Sequence, residues 1–92
     1  MRASQNPALV KAFAAELKAR RLALGQSQES LALDCGVNRT FVAKLELAQN
    51  QPSLSVLLRL SDGLGVGLPE LMGSTLNRYK SELRAAKRLK AD

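Results

Sequence analysis

The sequence has no histidine, a single cysteine, Cys35, and only 3% aromatic residues. One cysteine excludes an internal disulfide, and one cysteine with no histidine leaves no plausible zinc or iron–sulfur ligand set. Acid–base chemistry near neutrality also loses its usual side chain, and no nucleophile stands at a recognisable spacing from a base. The chain therefore reads as a binding protein rather than an enzyme, with no metal and no cofactor expected. Long apolar runs are missing too. Nothing approaches the roughly 20 residues of a membrane span, and the opening "MRASQNPALVKAF" lacks the continuous apolar stretch of a secretory signal. No membrane association and a cytoplasmic location follow as expectations. With so few aromatics, the 46% hydrophobic content rests on leucine, alanine and valine, which suits interlocking helices better than strands.

Acidic residues are scarce at both ends of the chain. The net charge of +6 divides into +4 over residues 1–25, −2 over residues 26–73 and +4 over residues 74–92. A polyanionic partner fits the sum, but the positive charge lies in the flanks.

Ninety-two residues suffice for one small all-α domain. Asn6 before Pro7 reads as an N-cap followed by proline at the first helical position. Leu9, Val10, Phe13, Leu17 and Leu24 repeat at helical spacing, and Gly25 follows as a left-handed stop, so a first helix spans 7–24. Residues 1–5 are left as a loose arm. Ser27 caps a second helix with Leu31, Ala32 and Cys35 on its apolar face, which gives Cys35 a packing role rather than a redox one. Gly36 ends that helix. Asn38 caps a third helix whose inward positions are Val42 and Leu45, with Phe41 at the margin. "AQNQPS" (48–53) is a loop, because Pro52 disfavours helix at Gln51 and Ser53 offers a new cap. A fourth helix covers 54–64, with Leu54, Leu57, Leu58, Leu60 and Leu64 expected to bury most of it. Gly65 stops it, a brief fifth helix spans 69–72, and Gly73 closes a domain of residues 6–73. Residues 74–92 then form a separate, basic C-terminal helix with Leu76, Tyr79, Leu83, Ala86 and Leu89 on one stripe.

From Gln28 onward, apolar residues, a small residue and a glycine fall where two short helices cross steeply through a three-residue turn, with Ala32 at the close approach and Gly36 at the corner. This pattern looks like a helix-turn-helix. The wider sequence resembles the phage repressor and Cro group, the XRE-type family, through "RLALG", "SQESLA", "GV", "FVAKLE", "PS" and "LGV". The likeness covers residues 13–72.

That resemblance implies a five-helix repressor-like domain whose third helix enters the major groove while the second crosses the backbone. Its outward positions, Arg39, Thr40, Ala43 and Lys44, become the expected base contacts. Arg39 and Lys44 suit guanine O6 and N7, and the methyls of Thr40 and Ala43 suit a thymine methyl. Gln28 falls where the family holds a phosphate at a helix N-terminus. Ser27, Asn38 and Asn50 are further phosphate candidates, the first two doubling as caps. Arg21 and Glu46 stand where the family often forms an ion pair between the first and third helices. Two departures are visible. The family commonly has a small polar residue, then glycine, then basic residues after Glu46, where this chain has "LAQNQP", so the loop brings no cations and a shallow salt dependence is expected unless the flanks contribute. Arg20 replaces a commonly apolar residue and is expected to lay its stem on the core edge with its head in solvent.

The function expected is a transcription regulator that binds double-stranded DNA as a homodimer on a palindromic operator. The alternatives are an antitoxin that represses its own operon and binds a protein partner through residues 74–92, and an interaction module that keeps the fold without binding DNA.

Overall fold

The computed structural model describes residues 5–91, so the expected arm over 1–5 lies, apart from Gln5, outside the described residues. Five helices follow one another: α1 (Pro7–Ala23), α2 (Gln28–Cys35), α3 (Arg39–Glu46), α4 (Leu54–Leu64) and α5 (Leu68–Ala91). Side-chain oxygens of Asn6, Ser27, Asn38 and Ser53 accept from the backbone N–H three residues on, which fixes the start of each of the first four helices. Gly36 and Gly65 end α2 and α4 in the left-handed conformation, at φ 71° and 68°.

Neither α2 nor α3, at eight residues each, has the length to persist alone in water. Packing holds them. Leu31 from α2, and Val42 and Leu45 from α3, join Leu17, Leu60 and Leu71 in a core where all six are at most 1% exposed. Each such side chain contributes about 1.5–3 kcal/mol of transfer free energy, enough to order a helix that its own hydrogen bonds cannot. Where α2 crosses α4, a Cβ added to Gly63 would overlap Cys35 Sγ and lie 3.3 Å from backbone atoms of Asp34 and Cys35. A glycine within α4 thus sets how closely the two helices approach.

Expectations for α4, for the end of α1 and for the C-terminal segment are corrected. Leu54 and Leu58 are 77% and 53% exposed, because one side of α4 faces the core and they lie on the other. Leu24, the C-cap of α1, is likewise 54% exposed. The brief fifth helix and the C-terminal helix are one helix that runs straight through Gly73. A glycine inside a helix costs only about 1 kcal/mol relative to alanine, and the fully buried Leu71 and Thr75 anchor the backbone on both sides of it.

α5 packs along α1. Glu16, 7% exposed, accepts from Arg20 Nε within α1 and from Arg78 Nε of α5 at 2.7 Å. The Arg20 head is not in solvent as expected. It bonds Glu16 and Ser74 Oγ (3.0 Å) and lies 3.5 Å from Glu70, because α5 brings two oxygen acceptors, Ser74 and Glu70, to join the one within α1. At the other end Asn6 Nδ2 donates to the Tyr79 hydroxyl oxygen at 3.0 Å. No helix among the described residues is long and apolar enough to cross a membrane.

Candidate nucleic-acid interface

The turn between α2 and α3 is three residues, Gly36 to Asn38, and each has a separate task. Gly36 takes the left-handed corner, and the Val37 N–H bonds back to Ala32 O at 3.0 Å. Val37 packs against the core. Asn38 Oδ1 accepts from Phe41 N at 2.8 Å and starts α3. Arg59 of α4 braces the corner by donating to Gly36 O at 3.2 Å.

With Val42 and Leu45 facing inward, the opposite side of α3 faces out. Arg39, Thr40 and Lys44 are exposed, Ala43 is half-buried, and Phe41 is half-buried against the core. Among the described residues, none of the four expected base-contact side chains makes a polar contact. Ser27 and Asn38 are exposed, and their side-chain oxygens are spent as acceptors on Ser30 N and Phe41 N. Their donor groups remain available to an anion. Asn50 is half-buried and lines a shallow groove with Gln5, Pro7, Val10 and Ala48.

Beneath this surface three helices meet at one carboxylate. Arg21, near the end of α1, grips Glu46, the last residue of α3, with a two-pronged bond: Nε to Oε2 at 2.6 Å and Nη2 to Oε1 at 2.9 Å. A third donation, from Arg21 Nη1 to Gln26 O at 2.8 Å, secures the link before α2. Gln28, at the start of α2, donates its Nε2 to Glu46 Oε1 at 3.0 Å. Sequence reasoning assigned Gln28 to a phosphate and missed this bond. The two residues stand 18 positions apart, at the start of α2 and the end of α3, so no local pattern signals the bond. One N–H of the Gln28 amide is thus spent on Glu46, and its second N–H joins the backbone N–H groups that the half-buried start of α2 can offer outward.

Burial alone would push the Glu46 carboxyl up, but the bonds from Arg21 and Gln28, with the Arg21 charge, outweigh it and hold the carboxyl below its ordinary 4.5. Glu16 follows the same balance, with burial opposed by Arg78 and Arg20. Hydrogen bonding to Glu46 pushes Arg21 up. Because both folded carboxyls titrate below their unfolded value, the stability they add is present above about pH 4.5 and is lost as pH falls through their lower folded values. The melting temperature should therefore hold from pH 7 to about 5 and drop below that. In Glu16→Gln, thermal scans should show a shallower acid limb.

The loop after α3 makes its left-handed turn at a residue that is not glycine. Ala48 stands where glycine is common and adopts φ 59°, the described non-glycine residue with positive φ. Gln49 N closes this turn onto Lys44 O at 2.9 Å. The expected shortage of loop cations is unaltered by the structure, since Ala48 to Ser53 carry no charge.

Residues 17–71 match the family model described as helix-turn-helix. No curated protein matches the chain. Among solved structures, the restriction-modification controller protein C.AhdI from Aeromonas hydrophila is 35% identical with a TM-score of 0.66, over 67% of this chain and 94% of its own. The hypothetical transcription factor NHTF from Neisseria is 33% identical with a TM-score of 0.65, over 68% and 72%. The clp gene regulator ClgR from Corynebacterium glutamicum shares the fold more fully, with a TM-score of 0.77 over 90% of this chain and 86% of its own, at 23% identity. Motif geometry, the Arg21–Glu46 brace and a family match over more than half of the sequence agree: the chain belongs to the XRE-type helix-turn-helix family.

Proposed function

We propose that this protein is a sequence-specific DNA-binding transcription regulator that acts as a homodimer on a two-fold symmetric operator. The observation that carries the reading is the polarity of α3. Its inner face is locked in the core, while Arg39, Thr40 and Lys44 project with no polar partner among the described residues. A helix so presented fits the major groove, and the similar proteins are a restriction-modification controller, C.AhdI, and a hypothetical transcription factor, NHTF. In this reading Arg39 and Lys44 donate to guanine edges and the methyls of Thr40 and Ala43 meet thymine. The Ser27 hydroxyl, Gln28 through its second amide N–H, the backbone N–H groups at the start of α2, the Asn38 amide and Asn50 hold phosphates. One such helix spans too few base pairs for high specificity. A second copy supplies the other half-site, about one helical turn away. Leu76 and Leu83 on α5, 42% and 39% exposed, give such a pair apolar surface to bury.

Gel-shift titration on the DNA upstream of the protein's own gene tests this. Arg39→Ala and Lys44→Ala should each weaken specific binding by about 1–3 kcal/mol, roughly 5- to 150-fold, and leave binding to an unrelated duplex nearly unchanged. Wild-type protein that holds random duplex as tightly as that upstream region would sink the proposal.

A further inference from the structure

We propose that the outer face of the C-terminal half of α5 is a second DNA-backbone contact, in which Lys80, Arg84, Lys87 and Arg88 neutralise phosphates beyond those met by the helix-turn-helix. This rests on the DNA-binding reading above and extends it to a surface outside the motif.

All four side chains are exposed, and at spacings of four, three and one residues they share one side of the helix over about 12 Å of its length. None pairs with a carboxylate among the described residues; the single polar contact is from Arg84 Nη2 to Ser81 Oγ at 3.2 Å. The neighbouring charges are committed elsewhere. Arg78 is bound to Glu16, and Glu82 faces the groove between α1 and α5 beside Lys11 and Ala15. Like charges three and four residues apart repel by a few tenths of a kcal/mol per pair, so an uncompensated stripe weakens the helix that carries it. A polyanion removes that cost.

Placement points to DNA. Tyr79, one residue before the stripe, is bonded to Asn6, and the adjoining Gln5, Pro7 and Val10 line one groove with Ala48–Gln51, the loop that leaves the recognition helix. That loop has no cation of its own. The stripe begins beside the edge of the interface where positive charge is missing.

The test is the salt dependence of binding by the full chain carrying K80Q, R84Q, K87Q and R88Q together. Each phosphate contact contributes about 0.9 to the slope of log K against log salt, so the variant's slope should be shallower by about 3 to 4. Between 50 and 200 mM salt, wild type should lose about 150-fold more affinity than the variant, on operator and random duplex alike. Exchanging lysine for arginine and arginine for lysine at the same four positions should restore the wild-type slope. A slope change below that of one contact overturns the proposal while leaving the motif's reading intact, since discrimination between operator and random duplex is read separately. So does loss, in the glutamine variant, of binding to anionic phospholipid vesicles with an unchanged DNA slope.

Discussion

Glu46→Ala should cost about 3–5 kcal/mol of folding stability, measured by urea denaturation. The loss is large because of what stays behind. Arg21 is 8% exposed, its Nε and Nη2 lose both partners, and the remaining bond to Gln26 O satisfies a donor but not the charge. Removing Arg21 instead strands a carboxylate with only the Gln28 amide, and a similar loss is expected. In a small domain, whose whole stability is on the order of 5–15 kcal/mol, either change leaves a marginal fold. The pair itself need not be stabilising, since apolar side chains of similar size in place of a buried ion pair are often neutral or better. Arg21→Met combined with Glu46→Leu should therefore recover most of the loss. It should not recover operator affinity, because the bond from Gln28 that ties α2 to the end of α3 is gone as well. Stability without affinity in that double variant would mark the carboxylate as the part that sets how α3 is presented. A double variant as unstable as Glu46→Ala would remove the charge argument.

Gly63→Ala should destabilise by about 1–3 kcal/mol, although alanine inside a helix ordinarily gains about 1 kcal/mol over glycine. Intrinsic preference and packing have opposite signs here. The new methyl would overlap Cys35 Sγ and press on the α2 backbone at Asp34 and Cys35, so α2 must shift. Because α2 and α3 share the motif's crossing, operator binding should weaken with stability. Cys35→Ala makes room at the sulfur and should couple favourably to Gly63→Ala by about 0.5–3 kcal/mol in a double-mutant cycle. Additive effects in that cycle would place the strain elsewhere. Burial pushes the Cys35 thiol up, with Asp34 and Asp62 adding to it, which favours the protonated, less reactive form of the sulfur.

Much of this architecture is legible in the sequence because it is locally encoded. Asn6, Ser27, Asn38 and Ser53 each cap a helix within three residues of themselves, and Gly36 marks its corner by its own backbone preference. α2, α3 and α4 follow from such signals without knowledge of what lies across the core. The inward face of α3 reads correctly for the same reason. What escapes the sequence depends on distant neighbours. Leu54 and Leu58 look like core because nothing local says which side of α4 the rest of the chain will cover. Gly73 looks like a boundary because its tolerance inside a helix comes from Leu71 and Thr75 being held by other elements. Arg20 and Gln28 read as outward polar residues until Ser74, Glu70 and Glu46 arrive from far along the chain. Gly63 gives no sequence signal of its own, since its role is defined by a sulfur on a different helix.

The continuity of α5 through Gly73 has a mechanical meaning. Residues 80–89 are not a tether that explores a volume around the domain; they are the far end of a lever whose near end is bolted into the core at Leu71 and Thr75. Their reach and their rotational phase are one property, so lengthening the rod by a single residue would swing its tip about 100° around the axis. Whatever meets that tip must come to a fixed bearing, and the ordering entropy spent there is that of the side chains rather than of the helical backbone.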